Sequence, residues 1–122
     1  MAADRAGMVR AAVTLSLEEL LARASPIERV ELVCRWSCAD HPAEREAVAR
    51  ALCSRVSTLV TDLVLHQLSS DPVAAVRSAA VRASRRHFDE NPRAYREILE
   101  QRSADGDRRV RRVARRMLVE VA

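Results

Sequence analysis

The chain has 122 residues, 48% of them apolar, with Trp36, Tyr95 and Phe88 as its three aromatics. Two glycines and four prolines speak against an aromatic-rich sheet protein and for one domain of closely packed helices. All 21 basic residues are arginine against 17 acids, a net charge of +4, and its distribution is uneven: residues 1–71 carry eight Arg and ten acids (−2), residues 72–122 thirteen Arg and seven acids (+6).

Residues 1–14 are expected to be a flexible N-terminal segment with at most a turn of helix over 8–13, ahead of a single helical domain over 15–122. Ser16 and Glu19 have the form of a capping box, with Leu15 and Leu20 as a hydrophobic staple, opening a short helix that ends near Arg23. Ser25 opens another, with Pro26 at its first position and Glu28 completing a second capping box. On that helix Ile27, Val30, Cys34 and Cys38 share one face and Leu32 and Trp36 point the opposite way, the pattern of a helix held between two neighbours.

Asp40-His41-Pro42 breaks the chain. Residues 43–67 contain no Gly or Pro and carry Val48, Leu52, Val56, Leu59 and Leu63 at helical spacing, which predicts one long helix, kinked or divided near Ser54 if at all. After the turn at Ser69-Ser70-Asp71-Pro72 a helix runs to about Phe88 with Val73, Val76, Ala80 and Ala83 inward. Asn91-Pro92 restarts the chain into a short helix with Tyr95, Ile98 and Leu99 inward, and a last helix covers Asp107 to Val121. The sum is about six helices in three antiparallel pairs.

A helix-opening phrase occurs twice, 34 residues apart: Asp71, Val76-Arg77 and Ala80 are answered by Asp105, Val110-Arg111 and Ala114, and Arg82 by Arg116. A fainter copy, Ser25-Pro26-Ile27-Glu28-Arg29-Val30, lies 46 residues before the first. Self-similarity at this spacing marks stacked helical hairpins. The turn aspartate followed by Val-Arg resembles the second helix of HEAT repeats, well over residues 55–121 and weakly over 16–54. The resemblance implies an all-α, short right-handed helical-hairpin solenoid working through an extended surface. It also implies that Arg77 and Arg111 reach Asp71, Asp105 or Asp107 in a ladder between repeats. The change of spacing from 46 to 34 marks the N-terminal pair as a divergent cap.

On the last helix Arg108, Arg109, Arg111, Arg112, Arg115 and Arg116 cover one half, and Val110, Val113, Ala114, Met117 and Val121 the other. Arg82, Arg85 and Arg86 extend the basic surface onto the preceding helix. Such a surface is either the solvated cap of a solenoid or an anion-binding face. The partner-binding residues expected from the sequence are Arg82, Arg85, Arg86, Arg108, Arg112, Arg115 and Arg116.

Cys34, Cys38 and His41 fall at i, i+4 and i+7, with Cys53 as a conceivable fourth zinc ligand, but zinc sites commonly place two Cys on a turn, and buried side-chain contacts are the expected role of these cysteines. His66 and His87 have no Ser or Cys partner at motif spacing, and no Gly-rich phosphate loop is present. No metal, no cofactor and no catalytic residue is therefore expected. Neither a membrane span nor the apolar core of a signal peptide is seen, and three cysteines without a disulfide framework fit a cytoplasmic protein. The function expected is a non-enzymatic protein-interaction scaffold or adaptor meeting an acidic partner. Nucleic-acid binding through the same arginines is the alternative, and self-association through an apolar N-terminal end a third possibility.

Overall fold

The computed structural model describes residues 2–54 and 58–122, and among these the chain is all-helical. The helices are α1 (Ala2–Arg23), α2 (Pro26–Ser37), α3 (Pro42–Leu52), α4 (Leu59–Leu68), α5 (Ala74–Arg86), α6 (Pro92–Arg102) and α7 (Arg108–Val121). Helices α1, α3, α5 and α7 each pack along the next, with α2 set against α3 and α4, α4 against α5, and α6 against α5 and α7. Buried alanines at 47, 49, 51, 79, 80, 83 and 114 line the shared core, where their small side chains allow close helix approach. No helix among the described residues is long and apolar enough to cross a membrane.

Seven helices among the described residues replace the six expected. The N-terminal segment is helix from Ala2, and Ser16 does not cap it. Its hydroxyl donates to the Ala12 carbonyl at 3.0 Å inside the helix, as Thr14 does to Arg10 at 3.0 Å. Leu17 and Leu21 are fully buried, and that burial along one face outweighs a local capping signal. The outer side of α1 leaves Met8 and Leu15 exposed.

The long helix expected over 43–67 is two helices. Val48 and Leu52 are buried on α3, whereas Leu59 and Leu63 are exposed; α4 buries Thr61, Val64, Leu65 and Leu68 instead. Val56 lies outside the described residues. Two side chains fix the break. Thr58 caps α4, accepting the Thr61 amide at 3.2 Å, and buried His87 donates Nε2–H to the Leu52 carbonyl at the end of α3, at 2.6 Å. Nor is α2 covered on both faces: it buries Val33 and Ser37 and partly buries Leu32 and Trp36, while Ile27, Val30, Cys34 and Cys38 are exposed. The Ser25–Glu28 capping box does form, with both bonds at 3.3 Å.

Arginines tie the turns together. Arg77 Nη1 donates to the Asp71 and Pro72 carbonyls of its own turn at 2.8 and 3.1 Å, while Nε and Nη2 grip both oxygens of Asp105 in the next turn at 2.9 and 3.0 Å. Arg45 does the same one step earlier. Its Nη1 holds the Ala39 and Asp40 carbonyls at 2.8 and 3.0 Å, and its fork takes Asp71 at 2.7 and 3.2 Å. The counterpart of the repeated phrase in the first part of the chain is thus the turn at Ala39, not Ser25-Pro26. Arg111, expected to reach a turn carboxylate as Arg77 does, instead holds only the Asp105 and Gly106 carbonyls, at 2.8 and 3.1 Å, because no further turn among the described residues follows α7.

Asp105 is the most heavily engaged carboxylate of the set. It also accepts from Arg102 Nη1 at 2.9 Å and from the Asp107 amide at 2.8 Å. Burial pushes its carboxyl pKa up, but the Arg77 hydrogen bond, the Asp107 amide and the charges of Arg77 and Arg102 more than offset this and hold it below the ordinary aspartate value.

Removing one partner of this buried pair strands the other. Arg77→Leu is therefore expected to cost about 3–5 kcal/mol. Arg111→Leu, which loses only bonds to carbonyls, should cost about 1–2 kcal/mol. Urea unfolding of the two variants checks the order; equal losses would mean that the Asp105 pairing carries little of the stability.

Candidate binding groove

The ladder fixes which other side chains come side by side. Arg45, Arg77 and Arg111 follow one another at intervals of 32 and 34 residues, and the same steps relate Arg50, Arg82 and Arg116, and Glu46, Ser78 and Arg112. These two further sets face a groove of about 750 Å³ that runs across α3, α5 and α7 and is closed at one side by Arg10 of α1. Ala74, Ala75, Ala79, Val110 and Val113 supply apolar lining. No aromatic side chain lines it among the described residues.

Seven arginines line this groove (Arg10, Arg50, Arg82, Arg108, Arg109, Arg112 and Arg116) against two acids, Glu46 and Asp107. Both acids are already engaged. Glu46 is buried and lies 2.8 Å from Arg50 Nη2 and 3.6 Å from Arg10 Nε. Asp107 caps α7, accepting the Arg109 and Val110 amides at 2.8 and 3.1 Å. By contrast, Arg82, Arg108, Arg109, Arg112 and Arg116 are exposed and make no side-chain hydrogen bond or ion pair among the described residues.

Of the seven arginines expected as partner-binding, Arg82, Arg108, Arg112 and Arg116 meet in the groove. Arg85, Arg86 and Arg115 do not line it. Arg85 pairs with Glu120 at 3.1 Å, Arg86 Nε donates to the Cys53 carbonyl at 3.4 Å, and Arg115 Nε to the Ser103 carbonyl at 3.1 Å. Sequence reasoning missed Arg10, Arg50 and Glu46. The 32-residue step back from Arg82 leads to Arg50, but α3 lacks the Val-Arg phrase that marks α5 and α7.

The metal candidates do not converge. Among the described residues no three His, Cys, Asp or Glu side chains are placed to hold one ion. His41 caps α3 instead, its Nδ1 accepting the Ala43 amide at 3.3 Å. Cys34 and Cys38 are exposed rather than buried, and half-buried Cys53 edges the groove. Burial pushes the Cys53 thiol pKa up, and the nearby charges of Arg86, Arg82 and Arg50 only partly counter this.

Comparison of the chain with protein-family models, with curated proteins and with solved structures finds no match.

The raised pKa of Cys53 has a direct consequence, because the thiolate is the reactive form. Near neutral pH, iodoacetamide should label the exposed Cys34 and Cys38 at least about tenfold faster than Cys53, read by peptide mass mapping. Labelling of Cys53 first would mean that the arginines, not burial, set its reactivity.

Proposed function

We propose that this chain is a non-enzymatic interaction module of HEAT type, a short right-handed solenoid of helical hairpins that binds an acidic polypeptide segment in its arginine groove. One observation carries this reading: five exposed arginines on α5 and α7 face a common groove without partners among the described residues, while both acids there are already engaged. Free guanidinium groups arranged in this way match carboxylates by charge and by their bidentate geometry. The alanine and valine lining adds apolar contact for the backbone and stems of a bound segment. The repeated turn–arginine arrangement and the row α1, α3, α5, α7 support the solenoid.

Phosphates satisfy the same guanidinium groups, so nucleic acid is the reading to test against. A groove without aromatic side chains offers no platform for stacked bases, which favours the acidic polypeptide.

Fluorescence anisotropy separates the two. A labelled Glu/Asp-rich peptide of about twelve residues should bind in the micromolar range at about 50 mM salt. Arg112→Glu/Arg116→Glu should weaken it by at least about tenfold, or 1.4 kcal/mol. Labelled duplex and single-stranded DNA should bind more weakly than the peptide. DNA that binds more tightly, with affinity falling steeply between about 50 and 200 mM salt, would replace this reading with backbone binding of nucleic acid.

A further inference from the structure

The ladder is filled at two of its three arginines, and we propose that the third, Arg111, is an open fork that receives an aspartate from a helix-opening turn of a partner polypeptide. The two filled cases define what the fork takes. In Arg45 and Arg77 one end of the guanidinium, Nη1, is fastened to two carbonyls of its own turn, and the Nε/Nη2 edge grips a turn aspartate. Arg111 repeats the fastening at matching distances, 2.8 and 3.1 Å. Its Nε/Nη2 edge makes no hydrogen bond among the described residues, and neither atom is sealed from solvent. The group is already oriented, so a ligand has little side-chain freedom left to remove, and the planar edge selects a two-oxygen anion.

The occupants of the filled forks are specific. Asp71 and Asp105 each also accept an amide of their own turn, from Val73 at 2.9 Å and from Asp107 at 2.8 Å. An aspartate anchored in this way arrives rigid, with both oxygens presented. In a second copy of this chain Asp71 and Asp105 are already held by Arg45 and Arg77, and the matching position of the turn before α3 is Ala39. The surroundings of Arg111 agree with an acidic visitor. Where α5 has Val81, fully buried, α7 has the exposed Arg115, so charge rather than apolar surface flanks the open fork. Neither Arg111 nor Arg115 lines the groove, so this site stands or falls independently of the reading above.

The test reads the arginine Nε–H resonances of the intact protein by two-dimensional NMR during titration with N-acetyl-aspartate methylamide at constant ionic strength. Arg111 should shift saturably, at probe concentrations at least about tenfold below those that move the exposed Arg109, while the occupied Arg77 stays still. Arg111 moving only in step with Arg109 would overturn the proposal. Inorganic phosphate at the same ionic strength should bind Arg111 more weakly than the aspartyl probe; equal or tighter binding would make it a general anion contact and overturn the aspartate assignment. Because the unmodified chain is observed, no variant has to fold for either result to count.

Discussion

A guanidinium that donates from both ends is the interaction on which the rest of this structure depends. Turn carbonyls between helices have no intrahelical partner, and Arg45, Arg77 and Arg111 each satisfy two of them with a single nitrogen. The opposite edge of the first two then takes the aspartate of the following turn. One side chain thereby shapes its own turn and sets the distance to the next. Asp71 and Asp105 close the arrangement by also accepting amides at the entrance to α5 and α7.

The register so fixed decides what the groove contains. Residue 82 lies five positions after residue 77, about 140° further round the helix, so an arginine in the ladder and an arginine in the groove occupy different arcs of α5. The same holds for Arg111 and Arg116 on α7. Identical side chains therefore do different things. Ladder arginines are mostly buried and fully committed at Arg45 and Arg77, whereas Arg82, Arg108, Arg109, Arg112 and Arg116 of the groove are exposed and make no side-chain hydrogen bond or ion pair among the described residues. Glu46 and Asp107 would blunt the groove if they were free. The first is neutralised from within by Arg50 and the second is consumed as a helix cap.

Much of this could be read from the residues. Capping by Ser25 and Glu28, the inward stripes Val76/Ala80/Ala83 and Tyr95/Ile98/Leu99, and the apolar face of α7 all follow helical periodicity and local hydrogen-bond chemistry, and all are found. The repeated phrase and its resemblance lead to an expected turn-aspartate pairing for both Arg77 and Arg111, and only Arg77 makes it. What escaped depends on contacts distant in sequence. Ser16 looks like a cap, yet burial of Leu17 and Leu21 carries helix straight through it. The stripe from Val48 to Leu63 looks continuous, but α3 ends at Leu52, whose carbonyl is taken by His87 35 residues on. Arg45 was hidden because the residue at the matching turn position is Ala39 and the usual Val before the Arg is Glu44. Arg115 shares the basic half of α7 with Arg112 and Arg116, which is why the pattern joins it to them, yet its Nε reaches the Ser103 carbonyl and it does not line the groove.

Hydrogen exchange of the arginine Nε–H groups tests this division of labour most directly, since ladder and groove are distinguished by whether those protons are held. The Nε protons of Arg45 and Arg77 should exchange far more slowly than those of Arg82, Arg108, Arg109, Arg112 and Arg116, which should exchange at the rate of free arginine. Equal rates across the two sets would contradict the ladder. Protection of the groove set would contradict the claim that its guanidinium groups stand free for a partner.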